Sequence, residues 1–206
     1  MYQPLITFCP HPAIFTQVLT IFEMKNIKDK PMKQPIFLIG YMAAGKTSLG
    51  RFASKRLGRE FIDLDKYIEA RYRQSVSDLF ATRGEEAFRI IERNMLHEVG
   101  EFDNVLIATG GGTPCFFDNM AYMNERGVAV FLTCSVEVIC HRLLIAKVRR
   151  PLVEGSTPEE LHHKVTTMLE QRMPYYSQAR YTFQADEYEK ATALALATEQ
   201  LREISE

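Results

Sequence analysis

Short apolar runs alternate with longer amphipathic stretches along most of the chain. Short, mainly apolar runs are typical of buried strands, and the longer stretches have the spacing of helices. The runs begin at Ile36, Phe61, Val105, Val128 and Tyr181. Regular alternation of strands and helices predicts an α/β fold, in which a parallel sheet carries helices on both faces.

Helix limits are predicted from apolar spacing, caps and helix-breaking residues. The clearest start is the capping box Thr157-Pro-Glu-Glu160. The helix that follows is expected to end at Arg172, because Pro174 comes soon after it. The other predicted helices cover residues 47–57, 77–83, 85–102, 118–126, 136–144 and 188–205.

The first 31 residues fit this pattern poorly. Pro4, Pro10 and Pro12 interrupt regular structure there, and the apolar stretch 13–22 lacks the flanking features of a signal peptide. We interpret residues 1–31 as a poorly ordered leader without a role in chemistry, with an accessory helix as the alternative. Met24 and Met32 are alternative start positions. Residues 32–206 are predicted to form a single domain.

Composition excludes several classes of protein. Of the 206 residues, 46% are hydrophobic and 25% are charged, and the formal net charge is −1. Nothing in this balance favours binding to nucleic acid or to an anionic membrane. No apolar run approaches the roughly 20 residues of a membrane-spanning helix. The four cysteines form no C-x-x-C pair, which favours a reducing, cytoplasmic location. We expect a monomer that binds small molecules.

The most specific motif lies between the first strand and the first helix. Gly40, Gly45, Lys46 and Thr47 match the phosphate-loop pattern G-x-x-x-x-G-K-[ST]. In such a loop, backbone N–H groups and the positive end of the helix surround a phosphate. The lysine reaches the β- and γ-phosphates of ATP, and the threonine hydroxyl binds Mg²⁺. The predicted nucleotide-binding residues are Ala43, Ala44, Gly45, Lys46, Thr47 and Ser48. An ordinary strand–turn–helix is the alternative.

Two aspartates, Asp63 and Asp65, end the second predicted strand. If the chain stays extended, alternation puts both carboxylates on the same side. The alternative is that Asp65 caps the helix that follows. Ligands of open parallel sheets lie beyond the carboxyl ends of the strands, so we favour a role beside the phosphate loop.

Three further stretches are candidates for chemistry. The run Thr109-Gly-Gly-Gly-Thr113 follows the third strand, and three consecutive glycines indicate close backbone approach, with a flexible turn as the alternative. Arg89 lies on the flank of an apolar helix stripe, where an arginine is usually a solvated charge. Residues 146–156 form a basic loop that includes Arg150.

Together these stretches resemble the shikimate kinase family over about residues 35–200. The matching motifs are Gly40-x-x-x-x-Gly-Lys-Thr47-x-x-Gly50, Phe61-x-Asp-x-Asp65, Gly84-Glu-Glu-x-x-Phe-Arg89, Thr109-Gly-Gly-Gly112, Arg150-Pro-Leu152 and Arg172-x-x-x-Tyr176. The resemblance implies a five-stranded parallel sheet in the order 2-3-1-4-5. It also implies transfer of phosphate from ATP, with Mg²⁺, to the 3-hydroxyl of shikimate in aromatic amino-acid biosynthesis.

The resemblance also implies roles for individual residues. The residues expected to bind shikimate are Asp65, Arg89, Gly110, Gly111, Gly112 and Arg172. Arg150 would act on the ATP phosphates from a lid near residues 146–156, Arg142 would lie against adenine, and Asp63 would hold a water on Mg²⁺. The expected catalytic residues are Lys46, Asp65 and Arg150. The chain departs from the family at Ala43, where glycine is usual, and a positive φ there would cost roughly 1 kcal/mol.

Two other functions stay open at this point. A kinase for another polyol, such as gluconate, would share the phosphate loop and the aspartates but lack the triple glycine together with Arg89 and Arg172. A catalytically silent nucleotide-binding partner protein should have lost Lys46 or Asp65, and both are present.

Overall fold

The computed structural model describes residues 33–146 and 155–205. The strands are β1 (Ile36–Ile39), β2 (Glu60–Asp63), β3 (Val105–Ala108), β4 (Val128–Thr133) and β5 (Tyr181–Gln184). The helices are α1 (Lys46–Leu57), α2 (Leu64–Tyr72), α3 (Val76–Gly100), α4 (Asn119–Arg126), α5 (Val136–Ile145), α6 (Pro158–Tyr176) and α7 (Ala191–Glu203). A 3₁₀-helix, Thr113–Cys115, follows β3. The predicted leader, residues 1–31, and most of the predicted lid lie outside the described residues.

The five strands form one parallel sheet in the order β2-β3-β1-β4-β5. The predicted fold class and strand order are therefore confirmed. Because β1 is the central strand, the loop that follows it lies in the middle of the carboxyl edge of the sheet. That edge is where open parallel sheets bind ligands.

The central strand shows why the sheet is covered on both faces. All four residues of β1 are fully buried. Phe37 and Ile39 pack into one apolar cluster with residues of α3, whereas Ile36 and Leu38 pack into another with residues of α1 and α7. Successive side chains of a strand point to opposite faces, so a continuous apolar run requires helices on both.

Helix α3 joins the two helices that were predicted separately. Gly84 keeps a non-helical backbone, with φ 79° and ψ 170°, and kinks the helix there without a loop. The helix begins after the cap Ser75, whose hydroxyl accepts a hydrogen bond from the Asp78 N–H. It ends at Gly100, two residues before the predicted end.

The predicted end of α6 at Arg172 was wrong. The helix continues through Pro174 to Tyr176. Pro174 removes one backbone donor, but tertiary contacts of Tyr176 hold the last turn in place. The ring of Tyr176 stacks on Phe131 of β4 at 5.0 Å between ring centroids, and its hydroxyl donates to the Gly111 carbonyl at 2.6 Å.

The last helix also begins later than predicted, at Ala191 instead of Tyr188. Tight turns precede it, because the Tyr188 N–H bonds to the Ala185 carbonyl and the Lys190 N–H to the Glu187 carbonyl. Tyr188 is buried there rather than on the helix. This connection between β5 and α7 therefore reaches the carboxyl edge of the sheet.

Candidate active site

The phosphate loop has the backbone that its motif requires. Gly40 has φ 136°, and a Cβ on it would lie 2.6 Å from the Leu132 carbonyl oxygen of β4. Gly45 has φ 98° and immediately precedes α1. The Lys46 side chain lies back over the loop and donates to the carbonyls of Gly40 and Tyr41, each at 2.8 Å. The loop thus closes around its own lysine.

A cavity of about 430 Å³ opens between this loop, the ends of β2 and β3, and the β5–α7 connection. The predicted site residues that line it are Ala43, Gly45, Lys46, Thr47, Ser48, Asp63, Asp65, Gly110, Gly111 and Arg142. Ala44 is buried below the loop. Gly112, Arg89 and Arg172 lie beside the cavity, as described below, and Arg150 lies outside the described residues.

Both aspartates line the cavity, but they do not lie on one extended strand as predicted. Strand β2 ends at Asp63, and Asp65 lies in the first turn of α2. Asp63, not Asp65, is the helix cap, since its carboxylate accepts the Lys66 N–H at 3.3 Å. Neither alternative, an extended chain through Asp65 or a helix cap at Asp65, is found. The other Asp63 oxygen accepts a hydrogen bond from the Thr47 hydroxyl at 3.0 Å.

The surroundings of Asp65 favour its protonated form. Burial raises the pKa of the Asp65 carboxyl to about 6, and the nearby Glu92 and Asp63 carboxylates add to that rise, while Lys46 opposes it. A carboxyl group whose pKa lies near neutrality can accept and release a proton under physiological conditions. Asp65 therefore has the electrostatic properties of a proton acceptor at the base of the cavity.

Arg89 is not the solvated charge that its flanking position suggests. Only 12% of its side chain is exposed, and it pairs with Glu92 at 2.8 Å and with Glu85 at 3.1 Å. Its guanidinium lies 4.1 Å from the centroid of the Phe116 ring. Glu92, fully buried, also accepts the Thr113 hydroxyl at 2.6 Å. These contacts fix the orientation of the guanidinium.

The triple glycine leaves little room for side chains. A Cβ on Gly112 would lie 2.9 Å from the Arg89 guanidinium nitrogens, and one on Gly111 would lie 3.3 Å from an Arg172 nitrogen. A Cβ on Gly110 would lie 3.0 Å from an Asp65 oxygen. The predicted close approach of the backbone is found here. It places two cationic side chains against consecutive glycines at the end of β3.

Arg142 and the β5–α7 connection line the cavity next to the phosphate loop. The Arg142 guanidinium donates to the carbonyls of Ala185 at 3.0 Å and Asp186 at 2.9 Å, and it pairs with the Glu189 carboxylate. Tyr188 and Glu189 line the cavity and were missed in the sequence. The available signal was topological, since this connection leaves the carboxyl end of a parallel strand.

Oxygen atoms that could bind a cation at the cavity belong to Thr47 and Asp63. No group of three or more His, Cys, Asp or Glu side chains that could hold a metal ion occurs among residues 33–146 and 155–205. The Thr47–Asp63 pair nevertheless fits Mg²⁺, which in nucleotide sites typically takes one or two protein oxygens together with phosphates and waters.

None of the helices within residues 33–146 and 155–205 has the length and apolar character of a membrane-spanning segment.

A parallel sheet of this order, with a phosphate loop after β1 and carboxylates after β2, defines a phosphate-loop phosphotransferase. The family model for shikimate kinase matches residues 42–204. The chain belongs to the shikimate kinase family.

Individual relatives agree with this family. The chain is 50% identical to a shikimate kinase of Bacteroides thetaiotaomicron over 171 residues, which are 83% of this chain and 98% of the relative. It is 56% identical to one of Parabacteroides distasonis, over 73% of this chain and 87% of the relative. A crystal structure of the B. thetaiotaomicron shikimate kinase has a TM-score of 0.80 and covers 82% of this chain and 97% of its own. A shikimate kinase from Acinetobacter baumannii in complex with shikimate has a TM-score of 0.72 at 34% identity, covering 84% and 93%.

Proposed function

We propose that this protein transfers the γ-phosphoryl group of ATP to the 3-hydroxyl of shikimate. Family membership supports the activity. The assignment of shikimate as the substrate rests on the two arginines Arg89 and Arg172. They pack against consecutive glycines beside the phosphate-loop cavity. Shikimate is a small anionic triol, and a planar guanidinium can pair with its carboxylate through two hydrogen bonds.

The nucleotide is assigned to residues 43–48. The first N–H groups of a helix have no partner within the helix, and those of α1 lie at the cavity. They are therefore suited to bind phosphate oxygens, with the positive end of the helix dipole behind them. Lys46 would exchange its bonds to the loop carbonyls for the β- and γ-phosphates.

Magnesium is assigned to Thr47 and, through a water, to Asp63. The two side chains already lie within hydrogen-bond distance of each other. When bound, Mg²⁺ neutralises charge on the β- and γ-phosphates. Asp63 also caps α2, so the same carboxylate that would face the cation fixes the start of the helix carrying Asp65.

Asp65 is assigned to the hydroxyl that attacks phosphorus. It lies between the phosphate loop and the glycines, next to Gly110. Phosphoryl transfer through a loose transition state needs little early activation of the nucleophile. Asp65 would therefore orient the hydroxyl and accept its proton late, for which a carboxyl pKa near 6 is suitable.

Some earlier expectations stay predictions. Arg150 and the lid near residues 146–156 lie largely outside the described residues, so their role rests on the motif match alone. The monomeric state and the cytoplasmic location also stay predictions.

The proposal is tested by measuring ADP release in a coupled assay with shikimate, with gluconate and without an acceptor. We expect release that depends on shikimate, together with formation of shikimate 3-phosphate by mass spectrometry. Release with gluconate instead would identify the other polyol kinase. Binding of ATP without turnover on either compound would favour the silent partner protein.

A further inference from the structure

Ala43, in the phosphate loop, has a left-handed backbone with φ 63°. Residues with a Cβ adopt this region at a cost, and glycine does not. Some other contact must therefore stabilise the peptide at this position. The Ala43 carbonyl accepts a hydrogen bond from the Nη1 atom of Arg142 at 3.2 Å.

Arg142 is itself held on several sides. Its Nη2 atom donates to the carbonyls of Ala185 and Asp186, and its Nε atom pairs with Glu189. Its side chain is only 12% exposed. The edge of the guanidinium thus connects the phosphate loop to the neighbouring β5–α7 connection.

We propose that Arg142 is a positioning residue for the phosphate loop, which it holds through the strained Ala43 peptide so that the loop amides face the phosphates. The inference rests on the proposed function, in which residues 43–48 bind the ATP phosphates. It differs from a contact with adenine, because a base would stack on the guanidinium face whereas the loop is bonded to its edge.

The two roles separate when the ligand has no base. A residue that serves adenine alone does not affect the binding of inorganic tripolyphosphate, whereas a residue that shapes the loop does. A substitution at position 43 distinguishes the two roles of Arg142 in a second way. Glycine adopts the left-handed region without strain, so the loop with Ala43→Gly should depend less on Arg142.

The experiment measures the dissociation constant of inorganic tripolyphosphate at fixed Mg²⁺ by calorimetry. The proteins are full-length wild type, Arg142→Ala, Ala43→Gly and the double variant. We expect Arg142→Ala to weaken binding roughly 10- to 150-fold, as for loss of a hydrogen bond from a charged donor. In the Ala43→Gly background, the same change should weaken binding several-fold less.

Two further variants guard against a purely structural effect. Arg51→Ala removes an exposed arginine of α1 that does not line the cavity, and it should bind tripolyphosphate nearly as well as wild type. Arg142→Lys keeps the charge, but a single ammonium cannot bridge the same carbonyls, and it should weaken binding in the same direction as Arg142→Ala. It replaces Arg142→Ala if that variant does not fold, as judged by thermal unfolding.

Two results would overturn the inference. One is unchanged tripolyphosphate affinity in Arg142→Ala or Arg142→Lys, with weaker ATP binding. The other is an equal loss in the wild-type and Ala43→Gly backgrounds. Because tripolyphosphate binding needs no acceptor, the expected pattern in a protein that does not phosphorylate shikimate would support this inference while refuting the proposed function.

Discussion

The two sides of the cavity are built in different ways. The phosphate-loop side comes from one contiguous stretch, residues 40–48, and presents mainly backbone groups. The glycine–arginine side combines residues 110–112 with Arg89 of α3 and Arg172 of α6. Its charged groups come from separate helices, and Arg89 is held by the carboxylates of Glu85 and Glu92.

This difference predicts different responses to mutation. A site made of backbone amides tolerates changes of side chain as long as the loop keeps its shape, as Ala43 in the loop shows. A site that includes a buried charge pair, such as Arg89 with the buried Glu92, depends on each partner, because the loss of one leaves the other desolvated and unpaired. The phosphate-loop side should lose turnover when the Lys46 cation is removed. The glycine–arginine side should lose affinity for shikimate when an arginine is removed.

The largest effect is expected on the phosphate-loop side. Lys46→Met should lower turnover at least about 10³-fold with little change in thermal stability, because a cation that stabilises the transferring phosphoryl group is lost. Steady-state kinetics at saturating ATP and shikimate measure this. The matched control is Lys55→Met, exposed on the same helix, which should behave like wild type. More than a tenth of wild-type turnover in Lys46→Met would remove Lys46 from the mechanism.

Asp65, between the two sides, should give the next largest effect. Asp65→Asn should lower turnover roughly 10²- to 10⁴-fold with ATP binding nearly intact, as for a positioned acid–base group. Asp63→Asn should instead raise the Mg²⁺ requirement. Titrating Mg²⁺ and shikimate separately in both variants distinguishes the two roles, and a change in only the Mg²⁺ dependence of Asp65→Asn would reverse them.

The same residue predicts a dependence on pH. The ionised carboxylate is the active form, so kcat/KM for shikimate should fall as the pH drops through about 6. Asp65→Asn should not show this fall.

The same carboxyl group should make the stability of the protein depend on pH. Because the pKa of Asp65 is higher in the folded than in the unfolded protein, the stabilising effect of the protonated carboxyl is lost as the pH rises through 6. Asp65→Asn should therefore be more stable than wild type at pH 8, by roughly 1–3 kcal/mol at 1.36 kcal/mol per pKa unit, and the gain should disappear near pH 4. Urea unfolding at both pH values measures this. An equal difference in stability at the two pH values would show that ionisation of Asp65 does not cause it.

On the glycine–arginine side, Arg172→Ala and Arg89→Ala should mainly raise the KM for shikimate. Loss of one partner from a desolvated charge pair costs roughly 2–5 kcal/mol, or about 30-fold and more. The KM for ATP should change far less. Arg93→Ala is the control, since Arg93 lies one turn along α3 and pairs with Asp118 near the surface. Equal effects on both substrates would show that the two sides are not separate.

The smallest effect should come from Tyr176. Its hydroxyl donates to Gly111, burial raises its pKa, and the positive charge of the neighbouring Arg172 opposes that rise. Tyr176→Phe should raise the KM for shikimate roughly 3- to 10-fold, as for one hydrogen bond, with the KM for ATP unchanged. Tyr175→Phe, with an exposed ring, is the matched control. A loss of stability with unchanged KM would limit Tyr176 to holding the end of α6.

Much of the fold follows from local sequence. Buried strands appear as short apolar runs because both faces of a parallel sheet are covered, and the run Ile36–Ile39 is found as β1. The capping box at Thr157 starts α6 as predicted, because its hydrogen bonds join residues three apart. The phosphate loop is equally local, and its glycines mark the positions where the backbone must turn.

The predictions that went wrong depend on distant contacts. Nothing near Pro174 indicates that α6 continues, because Tyr176 is held by β4 and by the glycines after β3. Tyr188 was placed on a helix for the same reason, although it is packed against Gly45 of the phosphate loop.

The sequence by itself determined the class of fold, the phosphate loop and the residues that could carry chemistry. These depend on periodicity and on motifs whose parts are neighbours along the chain. Only the tertiary structure decided that Arg89 is buried against Glu92, and that Arg142 bonds to Ala43 across 99 residues. Charge and strain at those positions are set by groups that lie far apart in sequence and meet only when the sheet and helices pack.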